Sequence, residues 1–221
     1  LIQHRADVLK DYQNKAYVQR YLKLVERVRT LETDRVPGSV AFTEAVASYY
    51  YKLLAYKDEY EVARLYTNGD FLKKIHGRFE GDFKLKLHLA PPMFSKRDPH
   101  TGEPIKTAYG SWMLTAMKFL SRFKFLRGTA FDPFGKTVER KMERRLILEY
   151  EQTIEELLRG FSKKNHVLAV EIAKIPEQIR GYDLVKQRHV ESAKSHEKLL
   201  LEEFRNSTGI SATPKIAETV S

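Results

Sequence analysis

The sequence has no cysteine among its 221 residues and only one tryptophan. The absence of cysteine excludes disulfides, thiolate catalysis, and any zinc site or Fe–S cluster whose ligands are cysteines of this chain. Long apolar runs are also missing, because stretches such as WMLTAMKFL at 112–120 contain Lys118 and are far too short to cross a bilayer. These absences predict a cytoplasmic protein with no membrane partner.

The composition is that of a globular chain, with 42% hydrophobic and 31% charged residues. The chain opens at Leu1, rather than at a Met, directly in a helical pattern, and we expect it to be part of a longer protein. We predict a single helical domain over 1–205. A mobile tail is expected over 206–221, because this stretch is rich in Ser and Thr and has few bulky apolar residues.

Apolar residues recur at every third or fourth position through most of the chain, which is the spacing of amphipathic helices. The pattern predicts a mainly α fold, a domain of about seven to nine helices. Ser39, Ser111 and Asn165 are expected to cap helices. The main predicted helices cover 3–32, 40–56, 58–67, 112–125, 137–162, 166–174 and 183–205.

The periodicity changes to two in FKLKLHL at 83–89, where apolar residues alternate with Lys and His. This alternation is typical of a half-buried strand, and Pro91-Pro92 would end it. His88 falls on its polar side. A partner strand at 105–109 would complete one small β-hairpin near 83–109.

The stretch AFDPFGKT at 130–137 fits the loose form of a nucleotide-binding P-loop. Its middle residues argue against that function, because Pro133 has no N–H to give and Asp132 would place a carboxylate beside the phosphate. We expect instead that Asp132-Pro133 forms a turn, and that the rings of Phe131 and Phe134 anchor the loop on the core.

Positive charge is concentrated around this loop. The net charge of the chain is +10, and nine Lys or Arg stand against three acids between Lys118 and Arg145. Four cations are predicted to gather at the start of the long helix as a site for a phosphate or an acidic partner. They are Arg127, Lys136, Arg140 and Lys141. The alternative is that these residues form a solvated helix face with i,i+4 pairs.

Among the seven histidines, His189 and His196 lie seven residues apart on one predicted helix. This spacing is too long for two ligands of one metal ion, which on a helix usually lie three or four residues apart. Partly buried packing is the favoured interpretation. The sequence also lacks a G-x-S-x-G nucleophile motif, so we predict neither a catalytic residue nor a metal site in this chain.

Four stretches together resemble one known family. They are YEVARLYTNGDF (60–71), FEGDFKLKLHLAPPMF (79–94), FLRGTAFDPFGKTVERKMER (125–144) and NHVLAVEIAKIPEQIRGY (165–182). In this order they are similar to the C-terminal accessory domain of the indolepyruvate oxidoreductases, within the 2-oxoacid:ferredoxin oxidoreductases. The resemblance extends over most of 1–205 and fits the beta subunit or a fused form.

The resemblance implies an enzyme that decarboxylates aryl-2-oxoacids to acyl-CoA and passes electrons to ferredoxin. It also implies thiamine diphosphate, Mg²⁺ and Fe–S clusters in the rest of that enzyme, but none in this chain. TNGDF at 67–71 lacks the later Asn of a thiamine diphosphate motif, and cysteine is absent. The chain is therefore expected to have no active site of its own.

Two functions stay open at this point. The first is a non-catalytic accessory domain that docks onto the catalytic domains or subunits of this oxidoreductase and contributes basic residues near an anion such as CoA. The alternative is a free-standing basic helical module that binds nucleic acid, which the acidic residues spread among the cations make the less favoured interpretation.

Overall fold

The computed structural model of the protein describes residues 1–79, 84–90, 98, 100, 105–181 and 183–208. Within these ranges it contains nine α-helices and one antiparallel pair of strands, which confirms the mainly α fold with a small β-hairpin. The helices are α1 (Ile2–Tyr12), α2 (Lys15–Arg35), α3 (Ala41–Leu54), α4 (Glu59–Thr67), α5 (Asp70–His76), α6 (Trp112–Ser121), α7 (Val138–Gly160), α8 (His166–Lys174) and α9 (Asp183–Thr208). The strands are β1 (Leu87–Leu89) and β2 (Thr107–Tyr109), and short 3-10 turns cover Lys124–Leu126 and Ile175–Gln178. Among the described residues, no helix is long and apolar enough to cross a membrane.

The chain divides into two compact units. Unit 1 consists of Leu1–Leu54 and Arg145–Ser221, and unit 2 consists of Ala55–Arg144. The single domain predicted over 1–205 stays a prediction, because compactness alone does not test whether the units fold separately. In the predicted tail, 206–208 continue α9, and 209–221 lie outside the described residues.

Stacked aromatic side chains form the centre of unit 1. The ring of Tyr50 stacks on those of Tyr21 and Tyr150, with centroids 6.0 Å apart in both pairs. The ring of Phe42 stacks on that of Phe161 at 5.0 Å. The hydroxyls of Tyr21 and Tyr150 donate to main-chain carbonyl oxygens, so these rings are buried with their polar ends satisfied. Burial raises the pKa of Tyr21 to about 12.

The first predicted helix, 3–32, is wrong as a single element. The structure breaks it between α1 and α2, where Gln13 and Asn14 leave the helical conformation. The side-chain oxygen of Asn14 accepts a hydrogen bond from the main-chain N–H of Tyr17 at 2.9 Å. Asn14 is therefore the N-cap of α2, a position at which Asn is among the preferred residues.

The apolar stripe predicted along the long helix is confirmed for most of α7. Leu146, Tyr150, Ile154 and Leu157 are buried at the helical spacing. Val138, in the first turn, is 83% exposed, so the buried stripe does not extend to the start of the helix.

The predicted cap at Asn165 is wrong in its detail. Asn165 stands at the start of α8, but its side chain makes no capping hydrogen bond to that helix. Its amide group donates to the carbonyl oxygen of Gly160, and its oxygen accepts from the N–H of Ser162. The side chain therefore satisfies main-chain groups around the end of α7.

In unit 2, α4, α6 and β1 share a small apolar core. Ala63, Leu87 and Met117, one from each element, are its buried centre. Partly buried side chains of Val62, Tyr66, Phe71, Leu85, Leu89, Met113, Leu114 and Leu120 pack around it. The α6 helix is thus anchored along one side only.

The hairpin of unit 2 is shorter than predicted. Leu87 pairs with Tyr109 and Leu89 with Thr107, whereas 84–86 are not part of a strand. His88 is exposed, as its place in the alternation predicted. Ser111 precedes α6, but its side chain makes no capping hydrogen bond, so that predicted cap is wrong.

Candidate partner-binding site

The loop between α6 and α7 is organised around the buried carboxylate of Asp132. This group accepts hydrogen bonds from the N–H of Gly128 at 2.8 Å and from the N–H of Phe134 at 3.1 Å. The hydroxyl of Tyr60 donates to the same carboxylate at 3.2 Å. Burial of the Tyr60 ring and the neighbouring charge of Asp132 raise the pKa of the Tyr60 phenol. The carboxylate thus fixes the loop from inside.

The same hydrogen bonds oppose a nucleotide-binding function for this loop. In a P-loop the main-chain N–H groups point at phosphate, whereas here the N–H of Phe134 in the 130–137 stretch, and that of Gly128 just before it, point at Asp132. A Cβ at Gly135 would lie 2.6 Å from the Asp132 carboxylate, so the glycine leaves room for the carboxylate. The ring of Phe134 packs edge-on against Tyr60, as predicted. Phe131 is 83% exposed, so its predicted anchoring role is wrong.

Arg127, a predicted anion ligand, has an internal partner. Its guanidinium forms a paired hydrogen bond with the carboxylate of Asp58, and both side chains are buried. Asp58 also accepts from the N–H of Glu61, as the N-cap of α4. The guanidinium lies over the ring of Tyr60 as well, 5.7 Å from its centroid. The charge of Arg127 is thus neutralised within unit 2.

Arg140 has acidic neighbours too. Its guanidinium donates to Glu59 at 3.2 and 3.3 Å and to Glu143 on the next turn of α7. Although burial alone would lower the pKa of Arg140, the two carboxylates raise it. Lys136 and Lys141 are exposed. Anion binding at the start of α7 therefore stays a prediction that depends on these two lysines.

The outward side of α6 and the turn after it form the aromatic face, which we define as Trp112, Phe119, Phe123 and Phe125. Trp112, Phe119 and Phe125 are each more than 60% exposed. The rings of Phe119 and Phe123 lie 4.9 Å apart in an edge-to-face arrangement, and Phe123 lies 5.9 Å from Phe125. Contiguous exposed apolar groups of this kind mark interaction sites on protein surfaces.

Exposed basic residues lie next to the aromatic face in the sequence, and exposed acidic residues do not. From 105 to 138, the sequence contains a single acidic residue, Asp132, and it is buried. Lys118 on α6 and Arg122 directly after it are exposed, and neither forms an ion pair with a described residue. Lys118 and Arg122 are therefore exposed cations beside the aromatic rings, with no ion-pair partner among the described residues.

A polar cluster in unit 1 has the residue types of a catalytic triad but a different geometry. Ser39 Oγ lies 3.2 Å, and Glu32 Oε1 2.9 Å, from the same ring nitrogen, Nε2 of His166. A triad needs the hydroxyl and the carboxylate on opposite ring nitrogens. Moreover, the Ser39 hydroxyl donates directly to Glu32 at 3.0 Å.

This cluster instead stabilises the first turn of α3 by accepting hydrogen bonds from its main-chain N–H groups. The Glu32 carboxylate accepts from the N–H groups of Phe42 and Thr43 at 2.9 and 2.8 Å, and from the Thr43 hydroxyl at 2.7 Å. Ser39 accepts from the N–H of Ala41 at 3.3 Å, so its predicted contribution to the start of this helix is confirmed, although Val40 occupies the N-cap position. A carboxylate at a helix N-terminus is also favoured by the helix dipole.

The histidines of α9 differ from their prediction. His189 and His196 are exposed rather than partly buried. Nδ1 of His189 donates a hydrogen bond to the carbonyl oxygen of Arg180, and Nδ1 of His196 accepts one from the side-chain amide of Gln178. The described part of the chain contains no group of three His, Asp or Glu residues placed to hold a metal ion.

Residues 1–198 match a protein family that is described as a family of unknown function, DUF6537. The chain belongs to this family. No curated protein and no solved structure matches the chain. The DUF6537 match spans the helices of both units, from α1 into α9, and therefore includes the aromatic face and the Glu32 cluster.

Sequence reasoning missed the aromatic face of this DUF6537 chain, although its signal is present. Trp112 and Phe119 lie seven residues apart on one side of the helix, while Met113 and Met117 recur at four on another side of the same helix. Two apolar stripes on a helix at the surface indicate that one of them has no partner within the chain.

Proposed function

We propose that this chain is a non-catalytic accessory domain that docks onto the catalytic domains or subunits of a thiamine-diphosphate-dependent indolepyruvate:ferredoxin oxidoreductase. The observation that carries the proposal is the aromatic face, because an accessory domain needs a surface that becomes buried only against its partner. The resemblance of the four stretches named above supports the choice of enzyme. We also place the enzyme in the cytoplasm.

The aromatic face supplies nearly half of the area that a stable docking interface needs. A side chain of this kind buries about 150–250 Å². Because Trp112, Phe119 and Phe125 are each more than 60% exposed, together they offer roughly 350 Å². A stable interface buries about 800 Å² on each partner, so the face would form nearly half of one. At 25 cal/mol per Å², its burial contributes about 9 kcal/mol before the costs of association.

The chemistry of the proposed enzyme would be supplied elsewhere. Fe–S clusters take cysteine thiolates, and this chain has no cysteine. The clusters are therefore assigned to the catalytic domains, and the resemblance assigns thiamine diphosphate and Mg²⁺ to the same domains. Lys136 and Lys141 are the residues that we assign to an anion of the complex, such as the phosphates of CoA.

The proposal is tested with the native assembly that contains this chain. We expect it to reduce methyl viologen in a reaction that requires both indolepyruvate and CoA, whereas the 221-residue chain alone has no turnover. In the native polypeptide, Phe119→Ser with Phe125→Ser should lower turnover or release the catalytic subunits. The matched control is Leu199→Ser, because Leu199 is an equally exposed apolar residue, on α9. A native assembly with no indolepyruvate-dependent reduction would refute the proposed function.

A further inference from the structure

The shape of the aromatic face and the charges beside it indicate what kind of partner surface would bind there. We propose that its occupant is an acidic amphipathic helix of the partner protein. This inference rests on the proposed docking function. It adds the type of element and the charge that the face recognises, which the function alone does not specify.

The first step in the argument is the geometry of α6. Its inner side is held in the core of unit 2 by Met117, with Met113 and Leu120 beside it. On the outer side, Trp112 and Phe119 stand seven residues apart, which is two helical turns, or about 10.5 Å of rise. Side chains repeated at this interval pack between the side chains of a second helix, which repeat at the same interval.

The second step is the charge around the rings. Lys118 and Arg122 lie one residue before and three residues after Phe119, both exposed and without an ion pair among the described residues. No exposed acid lies between 105 and 138, since Asp132 is buried. A helix with carboxylates beside its apolar stripe would bring opposite charges to these cations, whereas a basic partner would be repelled.

The arrangement of the rings favours a helix over single-stranded nucleic acid. Proteins bind single strands by stacking successive bases on the flat sides of aromatic rings. Here the ring of Tyr109 meets Trp112 edge-to-face, with an interplanar angle of 77°, and Phe119 meets Phe123 at 61°. Rings locked edge-to-face with each other present an uneven apolar surface, which suits side chains rather than a stack of bases.

The single tryptophan makes the face directly observable. Trp112 is the only tryptophan of the chain and is 62% exposed, so its fluorescence reports on this site alone. The probe is a synthetic peptide of about 20 residues, long enough to form a helix, with Leu at i, i+3, i+4 and i+7 and Glu and Ala elsewhere. A second peptide has the same composition in an order without an apolar stripe. The third ligand is an oligothymidylate of about 20 nucleotides.

We expect the amphipathic peptide to shift the Trp112 emission to shorter wavelength and to protect it from acrylamide, whereas the reordered peptide does neither. Lys118→Glu with Arg122→Glu should weaken binding by about tenfold or more at low salt, and by less at high salt. The matched control is Lys163→Glu with Lys164→Glu, two exposed lysines of unit 1, which should leave binding unchanged. Unchanged thermal melts by circular dichroism would show that both double variants are folded.

Three results would overturn the inference. They are equal binding of the two peptides, tighter binding of the oligothymidylate than of the amphipathic peptide, and no change in Trp112 fluorescence with any ligand. The failures of the two proposals are distinguishable. If the peptide does not bind but Phe119→Ser with Phe125→Ser lowers indolepyruvate-dependent turnover, the acidic helix is wrong and the accessory role stands. If the peptide binds but the native assembly has no such turnover, the proposed enzyme is wrong and the docking chemistry stands.

Discussion

Glu32→Gln should destabilise unit 1 far more than an ordinary surface substitution. The Glu32 side chain is 1% exposed, and its carboxylate accepts hydrogen bonds from Ser39, Phe42 and Thr43 and contacts His166. Glutamine keeps the shape but turns one acceptor into a donor. That donor would face the main-chain N–H of Phe42 or of Thr43, neither of which can accept a hydrogen bond in return.

The magnitude follows from the number of donors that lose their acceptor. A hydrogen bond to a charged group contributes about 1.5–3 kcal/mol, and an unsatisfied buried donor costs about 1–3 kcal/mol. Glutamine can still accept on one oxygen, so we expect a loss of about 3 kcal/mol in the free energy of unfolding. For a chain of this size the midpoint of thermal unfolding should fall by roughly 10 °C.

The loss should also depend on pH. Although burial alone would raise the pKa of Glu32, hydrogen bonds from the Thr43 hydroxyl, the Phe42 and Thr43 N–H groups and His166 outweigh it and lower the pKa. A carboxylate with a lowered pKa contributes stability that is complete above its unfolded pKa of about 4.3. This contribution is lost as the pH falls through the folded pKa. The difference between the wild type and Glu32→Gln should therefore shrink in acid.

Urea unfolding followed by circular dichroism, at neutral pH and in steps below about pH 4.3, measures both effects. The control is Glu26→Gln on the same helix, because Glu26 is exposed and, among the described residues, pairs with Arg29 alone. It should change stability by less than about 0.5 kcal/mol at any pH. Equal stabilities for the two variants, or a Glu32→Gln deficit that persists unchanged in acid, would contradict the role assigned to the buried carboxylate.

Two further substitutions test unit 2. Arg127→Met should cost about 3–5 kcal/mol, because it leaves the buried carboxylate of Asp58 without its cation; urea unfolding measures this loss. Gly135→Ala should cost about 1–3 kcal/mol, because the new Cβ would lie 2.6 Å from the hydrogen-bonded carboxylate of Asp132; the midpoint of thermal unfolding measures it.

Each of these substitutions has a matched control in the same unit. Arg122→Met removes an exposed guanidinium and should be nearly neutral. Gly110→Ala adds a Cβ at an ordinary contact distance of 3.4 Å from the Trp112 side chain and should also be tolerated. If a test variant unfolds at the same urea concentration or temperature as its control, the corresponding buried carboxylate does not stabilise the protein as we infer.

The features of the fold that were predictable from the sequence are those that adjacent residues determine. Gly38, Gly69 and Gly181 all have positive φ and all lie at predicted helix breaks. The break at Asn14 was missed because Asn is compatible with a helix as well as with a cap. In the structure the rings of Tyr12 and Tyr17 stack across the break. The periodicity of apolar residues shows neither this stacking nor the long-range packing.

The site was less predictable, because its electrostatics depend on distant residues. The sequence indicated one cluster of four cations, two of which are arginines. Arg127 is paired with Asp58, 69 positions away, and Arg140 with Glu59, 81 positions away. A count of charges within a window of neighbouring residues contains neither carboxylate. Exposure of Phe131 was missed for the same reason, since apolar character alone does not say which ring finds a partner.

The discontinuity of unit 1 has a consequence for how the protein is made. Phe42 and Tyr50 emerge from the ribosome in the first segment of the unit, but their stacking partners Phe161 and Tyr150 belong to the second segment. The whole of Ala55–Arg144 is synthesised in between. At a synthesis rate of about 5–20 residues per second, the stacking partners of α3 follow it on the order of ten seconds later. During that interval α3 lacks the packing that Tyr150 and Phe161 supply, and transiently exposed apolar surface of this kind favours aggregation.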